Sequence, residues 1–268
     1  MSEERAASEV DWLTPAARMP WPVQVPFRMR PNLERLDAEA PALLLRDGLA
    51  EVYRRERTKV MTAHPDRAAV GAANAAVLSA IGRLAPDLQE DFVVLKLDGD
   101  ALRTEYLAVC FPSRWDPREK LGLDFMAIHQ PVADNEMLQA AGPNLMAMAF
   151  MKQPMLRHVW LIVPNPGLDQ HPDRNVGWWR EALADPSPLL PRLYFRVERQ
   201  TTWPLPQQGR AVFFIRLLMS PLLDVLRAAT GRPAELAASL RSMTPAIVAY
   251  RGMTDALARM LSELDALT

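Results

Sequence analysis

A single imidazole, His129, closes the apolar run LDFMAI and is followed at once by Gln130 and Pro131, in a chain with only four histidines. Further along, two strand-like segments, LYFRVERQTTW and AVFFIRLL, carry charge where strands usually bury side chains. A two-residue period puts Tyr194, Arg196, Glu198 and Gln200 on one face of the first segment and Phe195, Val197, Arg199 and Thr201 on the other. In the second, Arg216 shares a face with Val212, Phe214 and Leu218. A buried arginine needs an anion or several acceptors, because an unpaired buried charge is expensive. Glu198 is the nearest acceptor on a neighbouring strand. Two readings stay open: a structural Arg216–Glu198 pair across a sheet, or a polar pocket on a concave sheet face.

His129 is equally two-sided. It is either a hydrogen-bonded core residue or an axial ligand. No second histidine or carboxylate stands at a spacing that completes an all-protein metal site, whereas one protein ligand suffices when a porphyrin supplies four nitrogens. His64 and His171 each precede proline in polar loops and are expected to be exposed, and His158 can face either a pocket or solvent. Cys110 reads as a small core residue. The Met-rich run NLMAMAFM reads as core or as a flat wall facing a cofactor rather than a metal box. There is no Gly-rich phosphate loop, HExxH, CxxC or GxSxG, so nucleotide hydrolysis, zinc proteolysis and serine-hydrolase chemistry have no local support.

The elements that must position these residues follow from pattern. The 268 residues carry 31 basic and 32 acidic side chains, well mixed, which gives no basic stripe for nucleic acid. One cysteine excludes an internal disulfide and points to a reducing cytoplasmic setting. MSEERAASEVDWL lacks a signal-peptide core and no apolar run reaches the ~18 residues of a spanning helix, so neither secretion nor membrane insertion is expected. PWPVQVPFRMRPN is expected to be extended by its prolines. Residues 43–61 and 69–84 show helical spacing. DFVVLKLDGD and TEYLAVCF read as a hairpin, MLRHVWLIVP as a strand, and LYFRVERQTTW with AVFFIRLL as two more. Residues 134–151 are helical with a break expected at Gly142-Pro143. Residues 164–191 form a long excursion with a short helical piece at VGWWREAL. The tail from Pro221 is helical, with Thr244-Pro245 as cap and first-turn proline. Strands joined by short turns define an α+β fold with an antiparallel sheet and helices on one face. Residues 89–220 form the core, with 1–88 and 221–268 packed against it.

QEDFVVLKL, CFPSRWDPREKLGLDFMAIHQPV, RHVW and RVERQTTWPLP followed by AVFFIRLLMSPL resemble the heme-dependent oxidative N-demethylase family over about residues 25–255. The resemblance implies a PAS-like fold and removal of a methyl group from a small secondary amine such as dimethylamine. It also implies heme b, dioxygen, release of formaldehyde, and electrons from NADPH through a partner subunit with FMN and a [2Fe-2S] cluster, with tetrahydrofolate used by another subunit. By the same resemblance His129 is the proximal iron ligand. Glu198, Arg216 and Arg157 become catalytic residues, and Arg196 and Arg199 cofactor-binding ones. The family pattern is departed from at Ala133-Asp134, before Trp160, and at Thr202-Trp203. The alternative within the same fold is a heme-binding sensor or a non-catalytic subunit.

Overall fold

The computed structural model describes residues 10–30, 32–36 and 40–268. Residues 1–9 of the acidic N-terminus and Pro31, at the end of the proline-rich segment, lie outside the described residues. Seven strands form one antiparallel sheet: β1 (Glu34–Arg35), β2 (Ala69–Gly71), β3 (Asp91–Asp98), β4 (Ala101–Ala108), β5 (Met155–Val163), β6 (Tyr194–Leu205) and β7 (Arg210–Pro221). Their spatial order is β1-β5-β6-β7-β3-β4-β2. The fold is thus α+β, as the pattern of elements predicts. The two shortest strands, at the sheet edges, are too brief to leave a periodic signal; β2 occupies residues where helical spacing predicted a helix to begin.

The β6–β7 hairpin is the spine of the sheet. Leu205 pairs with Arg210 beside a tight turn whose Gly209 takes φ 57°, and the pairing continues to Tyr194 opposite Pro221. The register sets Glu198 opposite Leu217 and Arg199 opposite Arg216. Side chains on the Phe195, Val197, Trp160 and Leu218 face join a core with the C-terminal helices α8 (Leu222–Arg227), α9 (Arg232–Arg241), α10 (Pro245–Tyr250) and α11 (Leu257–Asp265). Further along the same face, Phe92, Val94, Val212 and Phe214 pack on α1 (Ala40–Leu43) and α4 (Ala75–Leu84). Each large apolar side chain buried there is worth roughly 1.5–3 kcal/mol. Thr244 caps α10 by accepting from the Ile247 amide at 3.2 Å, as its sequence signature predicts.

The other face is covered by α5 (Phe125–His129), α6 (Glu136–Met146) and a π-helical turn (Ala147–Lys152). The expected break at Gly142-Pro143 does not occur, and α6 runs through it. The glycine serves packing instead: a Cβ there would stand 2.7 Å from Met126 Sδ and 3.3 Å from a Phe125 ring carbon, so a side chain at this position would require both to shift. Between the two coverings, α2 (Ala50–Ala63) and α3 (Pro65–Ala68) flank the sheet, and α7 (Trp178–Ala184) lies in the excursion between β5 and β6. Just before the start of β3, α2 supplies Tyr53, whose hydroxyl donates to the Leu217 carbonyl at 2.7 Å. Asp91, buried at the start of β3, accepts from the Cys110 and Phe111 amides at 3.0 and 2.8 Å and from Arg57 at 2.7 Å. That carboxylate fixes the point from which the chain departs toward His129.

Candidate functional site

The segment leading to His129 is held against β4. The Leu123 carbonyl accepts from the Thr104 amide at 3.0 Å, the Gly122 amide donates to the Thr104 carbonyl at 3.0 Å, and the Thr104 hydroxyl donates to the Lys120 carbonyl. Asp124 then caps α5 by accepting from the Ala127 amide at 3.0 Å, which starts the helix one turn before the histidine. Beyond it, the Asn135 side-chain amide donates to the His129 and Gln130 carbonyls at 2.8 and 3.1 Å. The imidazole itself is anchored through Nδ1, which donates to the Phe125 carbonyl at 2.8 Å. A carbonyl only accepts, so the proton sits on Nδ1 and Nε2 keeps its lone pair. Burial, followed by the nearby Arg157 and Lys120 cations and opposed by the Phe125 carbonyl, lowers the imidazole to about 4. It is therefore neutral near pH 7, the ligating form.

His129 lines a cavity of about 540 Å³ between the helical covering and the sheet. The size is that of a cofactor or ligand site. From the helical side come Phe125, Ile128, Leu145, Met146, Ala149 and Phe150, so the Met-rich run does form a wall. From the sheet come Val93 and Leu95 of β3, Arg157, Val159 and Leu161 of β5, Glu198, Gln200 and Thr202 of β6, and Phe213 of β7. Glu198 is 7% exposed and accepts from Gln200 Nε2 at 2.7 Å. Arg157 donates no hydrogen bond and forms no ion pair within 4.0 Å among the described residues. Burial lowers the pKa of its guanidinium, with Glu198 acting in the opposite direction.

Cations also stand at the rim. Arg114, with φ 68°, donates to the Arg251 carbonyl at 2.6 Å. Arg251 donates to the Trp160 carbonyl at 2.9 Å, and its guanidinium lies 4.6 Å from the Phe27 ring centre and 4.5 Å from that of Trp160. Desolvation brings it down to about 10. Lys120 and Tyr250 complete this edge. Nothing in the spacing of Tyr250-Arg251 marked them, since they arrive from a C-terminal helix about 120 residues away from His129 in sequence. Arg114 and Lys120 were visible only as charges in the stretch before the histidine.

The structure brings His129, Arg157 and Glu198 to one cavity and places the other three predicted site residues elsewhere. Arg196 spans loops, donating to the Phe111 and Leu168 carbonyls at 3.0 Å each and to Ser113 Oγ at 2.9 Å; desolvation holds it near 10. Arg199 lies on the face away from the cavity and donates to the Leu43 carbonyl at 3.1 Å and to that of Ala42. Arg216, opposite Arg199, pairs with Asp47 at 2.7 Å and stacks on Tyr53 at 3.6 Å. The Arg216–Glu198 pair does not form, because the register puts those side chains on opposite faces. His171 is buried at 1% exposure rather than exposed: its Nδ1 accepts from the Asp173 amide at 3.2 Å, and Nε2 stands 3.5 Å from an Asp116 oxygen. His64 is half-buried, and His158 shares the Arg199 face, so it does not line the cavity.

One imidazole with a free Nε2 projects from an apolar wall, and polar side chains line the sheet wall; among the described residues no three His, Cys, Asp or Glu side chains gather to hold a bare metal ion. This donor set fits a flat, largely apolar metal complex that needs one protein ligand. The site is therefore a histidine-bearing cavity of cofactor size on an α+β sheet. The family model described as haem-dependent oxidative N-demethylase, alpha subunit-like, matches residues 49–261. The chain belongs to that family, which is one of heme-dependent oxidoreductases that act on N-methyl groups as a component of a multi-subunit enzyme. No curated protein matches the sequence. No helix among the described residues is long and apolar enough to cross a membrane.

Proposed function

We propose that the chain is the heme-containing oxygenase component of an oxidative N-demethylase acting on a small secondary amine, with electrons from a separate reductase. The observation that carries this is His129, whose Nδ1 is fixed to the Phe125 carbonyl while Nε2 stays free in the cavity. Heme b, bound there, supplies the redox chemistry that activates dioxygen and oxidises an N-methyl group. In the balanced reaction the methyl C–N bond breaks. One dioxygen, two electrons and two protons yield the demethylated amine, formaldehyde and water.

The chain's own residues have separate tasks in this reading. His129 would hold the heme iron through Nε2, with its tautomer and orientation set by the Phe125 carbonyl. Arg114, Lys120 and Arg251 at the rim are suited to carboxylate groups of the cofactor. Glu198 holds the substrate ammonium from the sheet side, and Arg157 beside it presents guanidinium donors to the bound substrate. Leu145, Met146 and Phe150 exclude water. A PAS-like descent of the sheet and a cytoplasmic location, supported by the single cysteine, belong to the same reading. So do partner subunits carrying FMN, [2Fe-2S], NADPH and tetrahydrofolate sites, supported by the alpha-subunit designation and the absence of any fingerprint for them in this chain.

Absorption spectroscopy tests the proposal. Protein expressed with heme supply should show a Soret band that shifts on reduction under carbon monoxide, and His129→Ala should lose or markedly shift it. Absence of the band in the parent protein, or an unchanged spectrum in the variant, rejects the assignment.

A further inference from the structure

Two opposite charges face the same cavity without neutralising each other. Arg157 on β5 and Glu198 on β6 project from the same sheet face; Val159 is directly opposite Glu198 and Arg157 opposite Gln200, so the two are diagonal neighbours. Such neighbours have Cα atoms about 7–8 Å apart, within reach of long side chains. An Arg–Glu contact would be the ordinary outcome, yet no guanidinium nitrogen comes within 4.0 Å of the carboxylate. Glu198 is satisfied only by Gln200, at 2.7 Å, and Arg157 has no partner among the described residues. The Glu198 carboxylate is buried and the Arg157 guanidinium is half-buried, and a ligand bearing the complementary pair of charges engages both at once.

We infer that the substrate is an N-methylated amino acid, whose carboxylate takes the two-pronged donor face of Arg157 while its secondary ammonium is held by Glu198. The inference rests on the N-demethylase reading above and narrows its substrate class. A simple dialkylamine has one charge and satisfies Glu198 alone, leaving the guanidinium unpaired. An α-amino acid separates its carboxylate and nitrogen by one carbon, which suits two opposite charges on diagonal neighbours that do not touch each other. For N-methylglycine, dioxygen with two electrons and two protons from a flavin-type reductase gives glycine, formaldehyde and water. The carboxylate is unchanged and serves as a handle that fixes the orientation of the N-methyl group.

Calorimetric titration of the heme-loaded protein tests this without turnover. The ligands are N-methylglycine, its methyl ester, N,N-dimethylglycine and dimethylamine. N-Methylglycine is expected to bind at least tenfold more tightly than both its ester and dimethylamine. Arg157→Gln is expected to level the affinities of N-methylglycine and its ester, and Arg157→Lys to restore part of the difference. Equal binding of acid, ester and dimethylamine by the parent protein, or binding of none of them, overturns the inference whether or not the variants fold. A parent protein that shows the Soret band but no preference for the acid rejects this substrate class alone. A parent protein without the band rejects the heme reading on which it rests.

Discussion

At the scale of single residues, the same side-chain type does different work according to which polar atoms surround it. Five arginines from the strands and from the end of α10 illustrate this: Arg196 is held by carbonyls and a serine hydroxyl, Arg199 caps the end of α1, Arg216 is paired to Asp47, and Arg251 lies over two aromatic rings. Arg157 alone of these is left facing a cavity with no acceptor among the described residues. Residue type therefore could not rank them. Cys110 shows the reverse case, where type and setting agree. Its thiol is 1% exposed, and desolvation, aided by Asp91 and opposed by Arg57, pushes it up to about 12. The thiolate is the reactive form. Iodoacetamide at mildly alkaline pH should leave Cys110 unmodified in the native protein and alkylate it fully in concentrated guanidinium chloride, as read by intact mass. Rapid native alkylation would mean that the strand end beyond β4 opens readily.

At the scale of elements, glycines mark where backbones must approach closely to set the site. Gly142 brings α6 onto α5, and Gly71 lets β2 close the sheet edge beside β4. Gly71 has φ 94°, and a Cβ would lie 2.3 Å from the Glu105 carbonyl oxygen and 2.6 Å from a Leu121 methyl. Gly71→Ala should therefore cost about 2 kcal/mol in chemical denaturation, since both the left-handed backbone and the backbone clash oppose the side chain. The same change presses on Leu121, in the segment that leads to α5. Loss of the β2–β4 contact should speed amide exchange at Glu105–Leu107; a variant as stable as the parent would remove the close-approach explanation. Helical periodicity foresaw most of α2 and α4, while the break foreseen at Gly142-Pro143 is absent, since α6 runs through both residues with Gly142 facing α5.

At the scale of the whole molecule, distant segments converge on the sheet to brace the cavity from behind. Asp47, between α1 and α2, meets Arg216 of β7 across 169 positions of sequence, and that guanidinium already has Nε and Nη1 without hydrogen-bond partners. Breaking a buried pair leaves an uncompensated charge, a cost of about 3 kcal/mol. Asp47→Ala should lower the unfolding midpoint accordingly and leave the spectrum of the heme-loaded protein in place. A spectral shift without loss of stability would instead mean that Arg216 acts on the cavity.

The amino-acid sequence by itself determined the α+β class, the five long strands, the capped C-terminal helix and the prominence of His129, because these depend on local periodicity, turn chemistry and residue type. It also sorted the faces within each strand correctly: Glu198 and Gln200 together, Arg199 apart from them. Only the tertiary structure decided how those faces coincide between strands, since register is set by long-range pairing, and one residue of slip would exchange the sets. That register put Arg157 with Glu198 and removed Arg216 and Arg199 from the cavity. It likewise took folding to bring Tyr250 and Arg251 to the rim, and to bury His171 behind Asp116, because no local pattern encodes a contact between segments far apart in the chain.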